Sequence, residues 1–530
     1  MSGRTQGLVW AGLFLVGICF FTQELDAISL AAVSDGTENT AQGGAGENLQ
    51  NADAQGQSDW CSNVTAADRK LGASPGEIWV SQNSGTGPCA SVAQVSSNHT
   101  LRWRQGGRFV TSCAGLKVQD ATNVSVIGTS GLVLALPDHC PEFSRPLQIL
   151  NSTNVTVQGL DIDGNGNQQQ RGEQNHDILV LNSNRVQILN NYLHDAQGDA
   201  LLVGTDAKMS GGCEDVLVQG NSFQNIGRQQ ISVAGYGCND ARIVDNHFTY
   251  GTPVVASVSR GNPIHVEADA AGTGFQRITI SRNDMSGASG TCISATSRNG
   301  NPIIGLVISE NQCSGLNSDV NLSGGIVVLM AQNVIVKGNT IRFSGPKPGT
   351  DGILIQEASG IPAQLSRVIV ADNVVEGASS AGIRLSSSAS SGTPQSVNIH
   401  DNQLNGIGGA GIEIVNNWSE LNIHDNILTN LQGNGVHIEA ASRFQVHDNI
   451  IRDFGLNGLP ANGLEIICNG LFRTVGPGVV EGNQIGNANP TGKTGIREGC
   501  SSGVSGVIVR NNATSANAAE IATGVGYKNE

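Results

Sequence analysis

The sequence predicts an all-β solenoid, a chain that coils turn upon turn with the strands of successive turns lying parallel. Three observations predict it: a short frame recurs along most of the 530 residues, its apolar residues alternate strictly, and no helical pattern separates the copies. The frame is an apolar–x–apolar pair, two further residues and an Asn. It reads "VQILNN" to Asn191, "VLVQGN" to Asn221, "ARIVDN" to Asn246, "ITISRN" to Asn283 and "LVISEN" to Asn311. It continues through Asn339, Asn373, "VNIHDN" to Asn402, "LNIHDN" to Asn426, "FQVHDN" to Asn449, Asn483 and Asn511. These twelve copies are spaced by 23 to 37 residues, and degenerate copies precede them at 124–129 and 155–160.

Each element follows from this frame. Alternation with a period of two marks a half-buried strand. A second short strand follows each Asn, as in "DGILIQ", "AGIRLS", "AGIEIV" and "NGVHIE". The turns between are rich in Gly, Asn, Asp and Ser, which tolerate left-handed backbone. With no helix between strands a βαβ sheet is excluded, and a period of this length marks a stacked repeat. One repeat is then one turn of the coil, with parallel strands about 4.8 Å apart and alternate apolar residues filling a continuous core. The recurring Asn falls at a bend, where its amide can bond to the Asn one turn above and below and satisfy backbone groups that no strand reaches. The "HD" before three of these Asn residues (His400, His424, His447) shares one register. It reads as structural punctuation.

The ends differ. An apolar run from Leu8 to Phe21 follows Arg4; it is shorter than the ~20 residues of a membrane span. Residues 1–27 are therefore expected to be a signal peptide, with an uncleaved anchor as the rival. Residues 28–59 read as a linker, 60–120 as a cap, 121–512 as the solenoid and 513–530 as a tail. Ten cysteines remain after the signal, and neighbours (Cys61/Cys89, Cys113/Cys140, Cys213/Cys238, Cys292/Cys313, Cys468/Cys500) lie about one circumference apart. They are expected to staple adjacent turns, with buried free thiols as the alternative. No Cys/His spacing suggests zinc. A net charge of −15 leaves no basic excess for nucleic acid.

Non-repeated polar residues mark the candidate site. Segments 161–177, 190–204, 225–240 and 261–269 carry them, and their outward positions align on one sheet. Ser232 and Ala234 should neighbour His265 and Glu267, which should neighbour Ser294 and Thr296. Asp177, with His176 beside it, Asp199, Arg228 and Gln229 lie just before the strands, and His194 and Asp195 in the preceding turn. Hydrolysis of a glycan needs two carboxylates, for which Asp195, Asp199 and Glu267 are candidates. Elimination or epimerisation at a uronate needs a cation on the sugar carboxylate, a base and an acid; Arg228, His265 and Tyr236 could supply them. Catalysis is thus assigned to Asp195, Asp199, Arg228, His265 and Glu267, and substrate contact to His176, Asp177, Gln229 and Tyr236. A second column, Arg384, Glu413, His437, Glu465 and Arg497, with Glu439 beside it, reads as a ladder of ion pairs or as a further binding groove. Loops 161–176 and 250–262 are expected to wall the site.

On the frame and its Asn, the chain resembles the right-handed parallel β-helix superfamily, which includes pectate lyases, polygalacturonases and mannuronan epimerases. The resemblance covers about 120–512 and implies a solenoid of about 13 or 14 turns. The catalytic signatures of those families (G-H-G with R-I-K, D-P-H-[DE], W-x-D-H) are absent. "GRQQISV" and "NPIHVEAD" resemble a broader set with G-R-x-G-I-S-V and G-I-D-I-E, but Gln230 stands for the Gly and His265 for the Asp. The N-terminal signal implies an exported protein, secreted, periplasmic or at the cell surface, and the resemblance implies that it processes a polysaccharide. The alternative is a non-catalytic glycan-binding or adhesive solenoid. No cofactor is expected; Ca²⁺ would suit a lyase, but no tight acidic cluster stands out in the sequence.

Overall fold

The computed structural model describes residues 48–529, except 82–86, 171, 206–211, 250–260, 269–274, 287–290, 298–301, 318–323, 346, 358–364, 388–394, 417, 469–475, 489–492, 500–506, 516–518 and 523–527. Residues 1–27, most of the 28–59 segment and nearly all of the 250–262 wall lie outside the described residues. Among the described residues no helix is long and apolar enough to cross a membrane.

Strands of successive turns pair in parallel to build a solenoid of about 13 turns. Sheet A holds the frame strands, such as Thr153–Gln158, Asn184–Leu189 and Glu214–Gln219. Sheet C holds short strands after each ladder Asn, such as Asp161–Asp163, Tyr192–His194 and Ser222–Gln224. Sheet B holds the second predicted strand: Ile178–Leu181, Leu201–Thr205, Ile231–Gly235, Ile264–Ala268 and onward. The turn thus has three strands where the sequence reading has two, because three residues carry too little alternation to be seen.

Register is fixed by the core. Val155, Val186 and Val216 align, as do Val157, Ile188 and Val218, all buried. A one-residue slip would turn every one of them outward. The first turn is closed by helix Trp60–Leu71, whose N-cap Asp59 accepts from the Ser62 N–H at 2.9 Å. Trp60, Trp103 and Phe109 pack edge to face beneath it, covering a core that an end turn would otherwise expose. The cap begins upstream of residue 60: strand Asn48–Asn51 pairs with Gly76–Val80, and Asn51 caps the 3₁₀ turn Ala52–Gln55. Backbone pairing of this kind leaves no apolar period to read.

The Asn ladder runs unbroken from Asn191 to Asn512. Each Nδ2 donates to the Oδ1 of the next Asn at 2.8–3.0 Å. That Oδ1 also accepts the backbone N–H of the Asn below, as in Asn402 to Asn426 at 3.1 Å. The last rung is Asn512, not Asn511. Asn511 occupies the position before the ladder, where the backbone is left-handed, like Asn190, Asp245, Arg282, Glu310, Asp372, Asp401, Asp425 and Asp448. The Asp of "HD" is this bend residue.

Three expected disulfides join adjacent turns, Cys61–Cys89, Cys113–Cys140 and Cys213–Cys238. Cys468 is disulfide-bonded as well, while Cys500 lies outside the described residues. Cys292 and Cys313 are buried free thiols. Burial, reinforced by a hydrogen bond with Cys313, raises the Cys292 pKa well above its ordinary value.

Candidate active site on the N-terminal turns

Sheet B aligns the outward residues as the alternation predicts. Ser232 faces His265, which faces Ser294; Ala234 faces Glu267, which faces Thr296. The bend that leads into these strands supplies the remaining groups. Asp199 is fully buried, and its Oδ1 accepts the Gln229 N–H at 3.1 Å with Arg228 Nε at 3.5 Å. The Arg228 side chain, 22% exposed, reaches the surface above it. Gln229 Nε2 donates to His265 Nδ1 at 3.2 Å, which leaves the ring proton on Nε2, 3.5 Å from Thr296 Oγ1. Glu267 Oε2 lies 3.9 Å from His265 Nδ1. On the other side, His176 Nδ1 accepts the Asp199 N–H at 3.1 Å.

Burial dominates the electrostatics here. It raises the Asp199 pKa to about 7, against the pull of Arg228 and the Gln229 N–H. It lowers His176 to about 3, and the charges of Arg145 and Arg228 act in the same direction. His176 is therefore a neutral acceptor that fixes the bend. The 161–176 loop stacks beside this site on the loop below: Asn165 Nδ2 bonds to Asp138 at 2.8 Å, and Asn175 Oδ1 accepts the Ser144 N–H at 3.1 Å.

The structure does not bring Asp195 or Asp177 into this group. Asp195 follows sheet C, where its Oδ2 lies 2.6 Å from His194 Nδ1. Asp161 Oδ1 holds the other ring nitrogen at 2.9 Å. Burial works against charge on His194, but these two bonds outweigh it and raise its pKa to about 10. Asp177 is fully buried behind that cluster, and neither of its oxygens has a hydrogen-bond partner among the described residues. Burial pushes its pKa well above the carboxylate range. Tyr236, 39% exposed, stands past the far end of its strand from Arg228.

The second column forms in register, Arg384–Glu413–His437–Glu465–Arg497. It pairs in two groups: Arg384 Nε to Glu413 at 3.6 Å, and His437 Nδ1 to Glu465 at 2.9 Å with Arg497 to Glu465 at 3.1 Å. Asn434 and Asn462 also donate to Glu465, each at 2.8 Å. Glu439 lies one turn from Ile467 on the same face.

Two features escaped the sequence reading. One is the Asp161–His194–Asp195 chain with Asp163; the "DID" of 161–163 was visible, but its alignment with sheet C was not. The other is an open groove of about 850 Å³ on sheet A, lined by Arg185, Glu214, Asp215, Asp240, Arg242 and Arg277 among others. Asp240 bonds Arg277 through both oxygens, and Asp215 bonds Arg242. These charges are largely spent on one another, and the groove does not touch the sheet B column.

Solved structures align with the chain at low identity and with TM-scores below 0.5. The A-modules of two mannuronan C-5 epimerases of Azotobacter vinelandii are 14% and 13% identical; the first aligns over 91% of this chain and 99% of its own, with a TM-score of 0.30. A surface protein and adhesin of Streptococcus pneumoniae is 12% identical over 70% of this chain and 100% of its own, at 0.43. The catalytic unit of a GH87 α-1,3-glucanase from Streptomyces thermodiastaticus is 13% identical over 92% and 71%, at 0.46. No curated protein matches the sequence. The family model of the right-handed β-helix region matches residues 176–451, just over half of the chain, and the chain belongs to that family.

Proposed function

We propose that the protein is an exported enzyme that acts on a uronate-containing polysaccharide at sheet B of its N-terminal turns, by elimination or epimerisation. The observation that carries this reading is Arg228, anchored by buried Asp199 in the bend that leads into sheet B, one turn from His265 and Glu267 on the next strand. An extended glycan lies along such a sheet. Arg228 neutralises the sugar carboxylate, which makes the adjacent C–H more acidic. The Glu267 carboxylate takes that proton. In elimination, the C–O bond to the leaving sugar breaks, its oxygen takes the Nε2 proton of His265 in its imidazolium form, which is left as neutral imidazole, and a C=C bond forms. In epimerisation a proton returns from the opposite face. Hydrolysis fits less well, because Asp195 faces another sheet and Asp199 is fully buried. The disulfides support a site of action in an oxidising compartment.

The second reading is a glycan-binding or adhesive solenoid. It is favoured by the small exposure of the His265 and Glu267 side chains, 10% and 11%. Incubation with uronate and neutral polysaccharides separates the two. Unsaturated uronates are followed by absorbance, epimers by NMR and chain cleavage by reducing ends. Glu267→Gln and His265→Ala should each reduce turnover of a uronate polymer about 100-fold or more. Turnover unchanged in both variants would sink the assignment; glycan binding without turnover would establish the second reading.

A further inference from the structure

We propose that the bend between sheets C and B at residues 161–196 is a site for a divalent first-row transition-metal ion, held by Asp163, His194 and Asp195 with Asp177 behind them. This inference is independent of the polysaccharide chemistry above. Asp163 and His194 occupy one register on neighbouring strands of sheet C, and Asp195 follows directly. One donor atom from each of the three lies within 4.8 Å of the others. The second observation is Asp177, buried and without a hydrogen-bond partner among the described residues. Its Oδ1 lies where a Cβ on Gly164 would clash with it, with Ala196 next to it. Gly164 and Ala196 are the residues that follow Asp163 and Asp195, so this unsatisfied carboxyl is aimed at the back of the cluster.

Charge and donor type agree. Four carboxyl groups converge (Asp161, Asp163, Asp177, Asp195), and the cations beside them are His194 and Arg108, the latter 2.7 Å from Asp163. Carboxyl groups outnumber the basic side chains here, which favours a bound cation. Mixed carboxylate and imidazole donors suit Zn²⁺ or Mn²⁺, whereas Ca²⁺ takes oxygen ligands. His194 is already held as a ligand would be. Asp161 receives its Nε2–H, and the Tyr192 ring stacks on it at 4.7 Å. The metal takes the place of the proton on Nδ1, which passes to solvent, and leaves a carboxylate–histidine–metal relay of the kind that orients metal ligands.

The test uses the full chain, dialysed against chelator and titrated calorimetrically with MnCl₂, ZnCl₂ and CaCl₂. The expected result is one Mn²⁺ or Zn²⁺ per chain, bound at least 100-fold more tightly than Ca²⁺, with proton release seen as a dependence on buffer ionisation heat. Asp163→Asn and His194→Gln should each abolish binding, and Asp161→Asn should weaken it about 10- to 100-fold. Asp177→Asn should weaken it at least 10-fold while its circular dichroism stays that of the parent. Absence of uptake by the parent chain overturns the proposal whatever the variants do. Uptake unchanged in both Asp163→Asn and His194→Gln overturns it as well, by placing the ion elsewhere, and Ca²⁺ bound as tightly as Mn²⁺ refutes the donor assignment.

Discussion

The turns around Asp177 to Glu267 and those from Asn373 to Asn483 share one frame, yet they handle charge in opposite ways. In the later turns charges stand in register and neutralise one another across the strand spacing. Burial acts against the Glu465 carboxylate, but the hydrogen bond and charge of His437, with Arg497 and Asn434, outweigh it and hold its pKa below the usual range. In the early turns Asp177 and Asp199 are buried with too few partners, and burial wins. The solenoid can evidently satisfy its charges, since it does so some six turns further on. Where it does not, the buried carboxyls oppose folding stability, a pattern in line with the site proposed above.

The ladder is common to both regions, and breaking it should have the largest effect. Asn221 and Asn426 each accept two hydrogen bonds at Oδ1 and hold Nδ2, with its two hydrogens, 2.8–3.1 Å from three acceptors in full burial. Asn221→Ala and Asn426→Ala should each cost about 3–5 kcal/mol in urea unfolding, since each orphaned buried group costs ~1–3 kcal/mol. A much smaller cost at Asn221 would mean that the early turns are held by something other than the ladder.

The next comparison is between the carboxyls themselves. Glu465→Gln removes a bonded carboxylate and should lower stability by about 1 kcal/mol at pH 7. Asp177→Asn removes a buried acid whose folded pKa is raised. Such a group stabilises fully below its unfolded pKa and opposes folding as pH rises above it. The variant should therefore gain about 1–3 kcal/mol at pH 7 and nothing at pH 3. Equal losses at both positions would erase the contrast between the regions.

These cases show what the sequence could disclose. Strand positions were legible because alternation dictates facing: His265 against Ser232, and Arg384 through Arg497, follow from counting alone. The ladder was legible because one residue type returns in one frame, although its last rung was read one residue early. Bends were not legible. Asp177, Asp195 and Asp199 all lie between sheets C and B, where orientation depends on how loop 164–176 packs on its neighbours and no period applies. Hence Asp195 and Asp199, assigned to catalysis, and Asp177, assigned to substrate contact, divide instead into a partner of His194, a buried partner of Arg228 and an acid whose oxygens have no hydrogen-bond partner among the described residues. The left-handed residue before each rung was half legible. Asn, Asp and Gly advertise it, but Arg282 and Glu310 occupy the same conformation without any such signal.

A finer contrast lies within the early turns. Asp199 takes up a proton on folding between its unfolded pKa near 4 and its folded value of about 7. His176, depressed to about 3, releases one between about 3 and 6.5. Their slopes oppose and nearly cancel across pH 4 to 6.5. Relative to the parent, His176→Asn should therefore lose stability more steeply as pH rises through that window, and Asp199→Asn should gain it. Melting temperatures at half-unit steps would show the two signs. Slopes of the same sign in both variants would mean that the groups do not titrate as a pair.

The smallest effect separates the two letters of the repeated "HD". The rings of His400, His424 and His447 stack at 4.9 Å and nearly parallel, and each Nδ1 bonds to the Asp beside it. This is a surface contact in water, comparable to a cross-strand pair of ~0.2–1 kcal/mol. Asp425 has a different task, because its φ of 54° is costly for most L-residues. Asp425→Ala should cost about 1–2 kcal/mol, and Asp425→Gly much less, because glycine accepts that backbone freely. His424→Ala should cost about 0.5 kcal/mol or less. If the order is reversed, with the histidine change the more damaging, then the stacked rings and not the bend are what holds these turns in step.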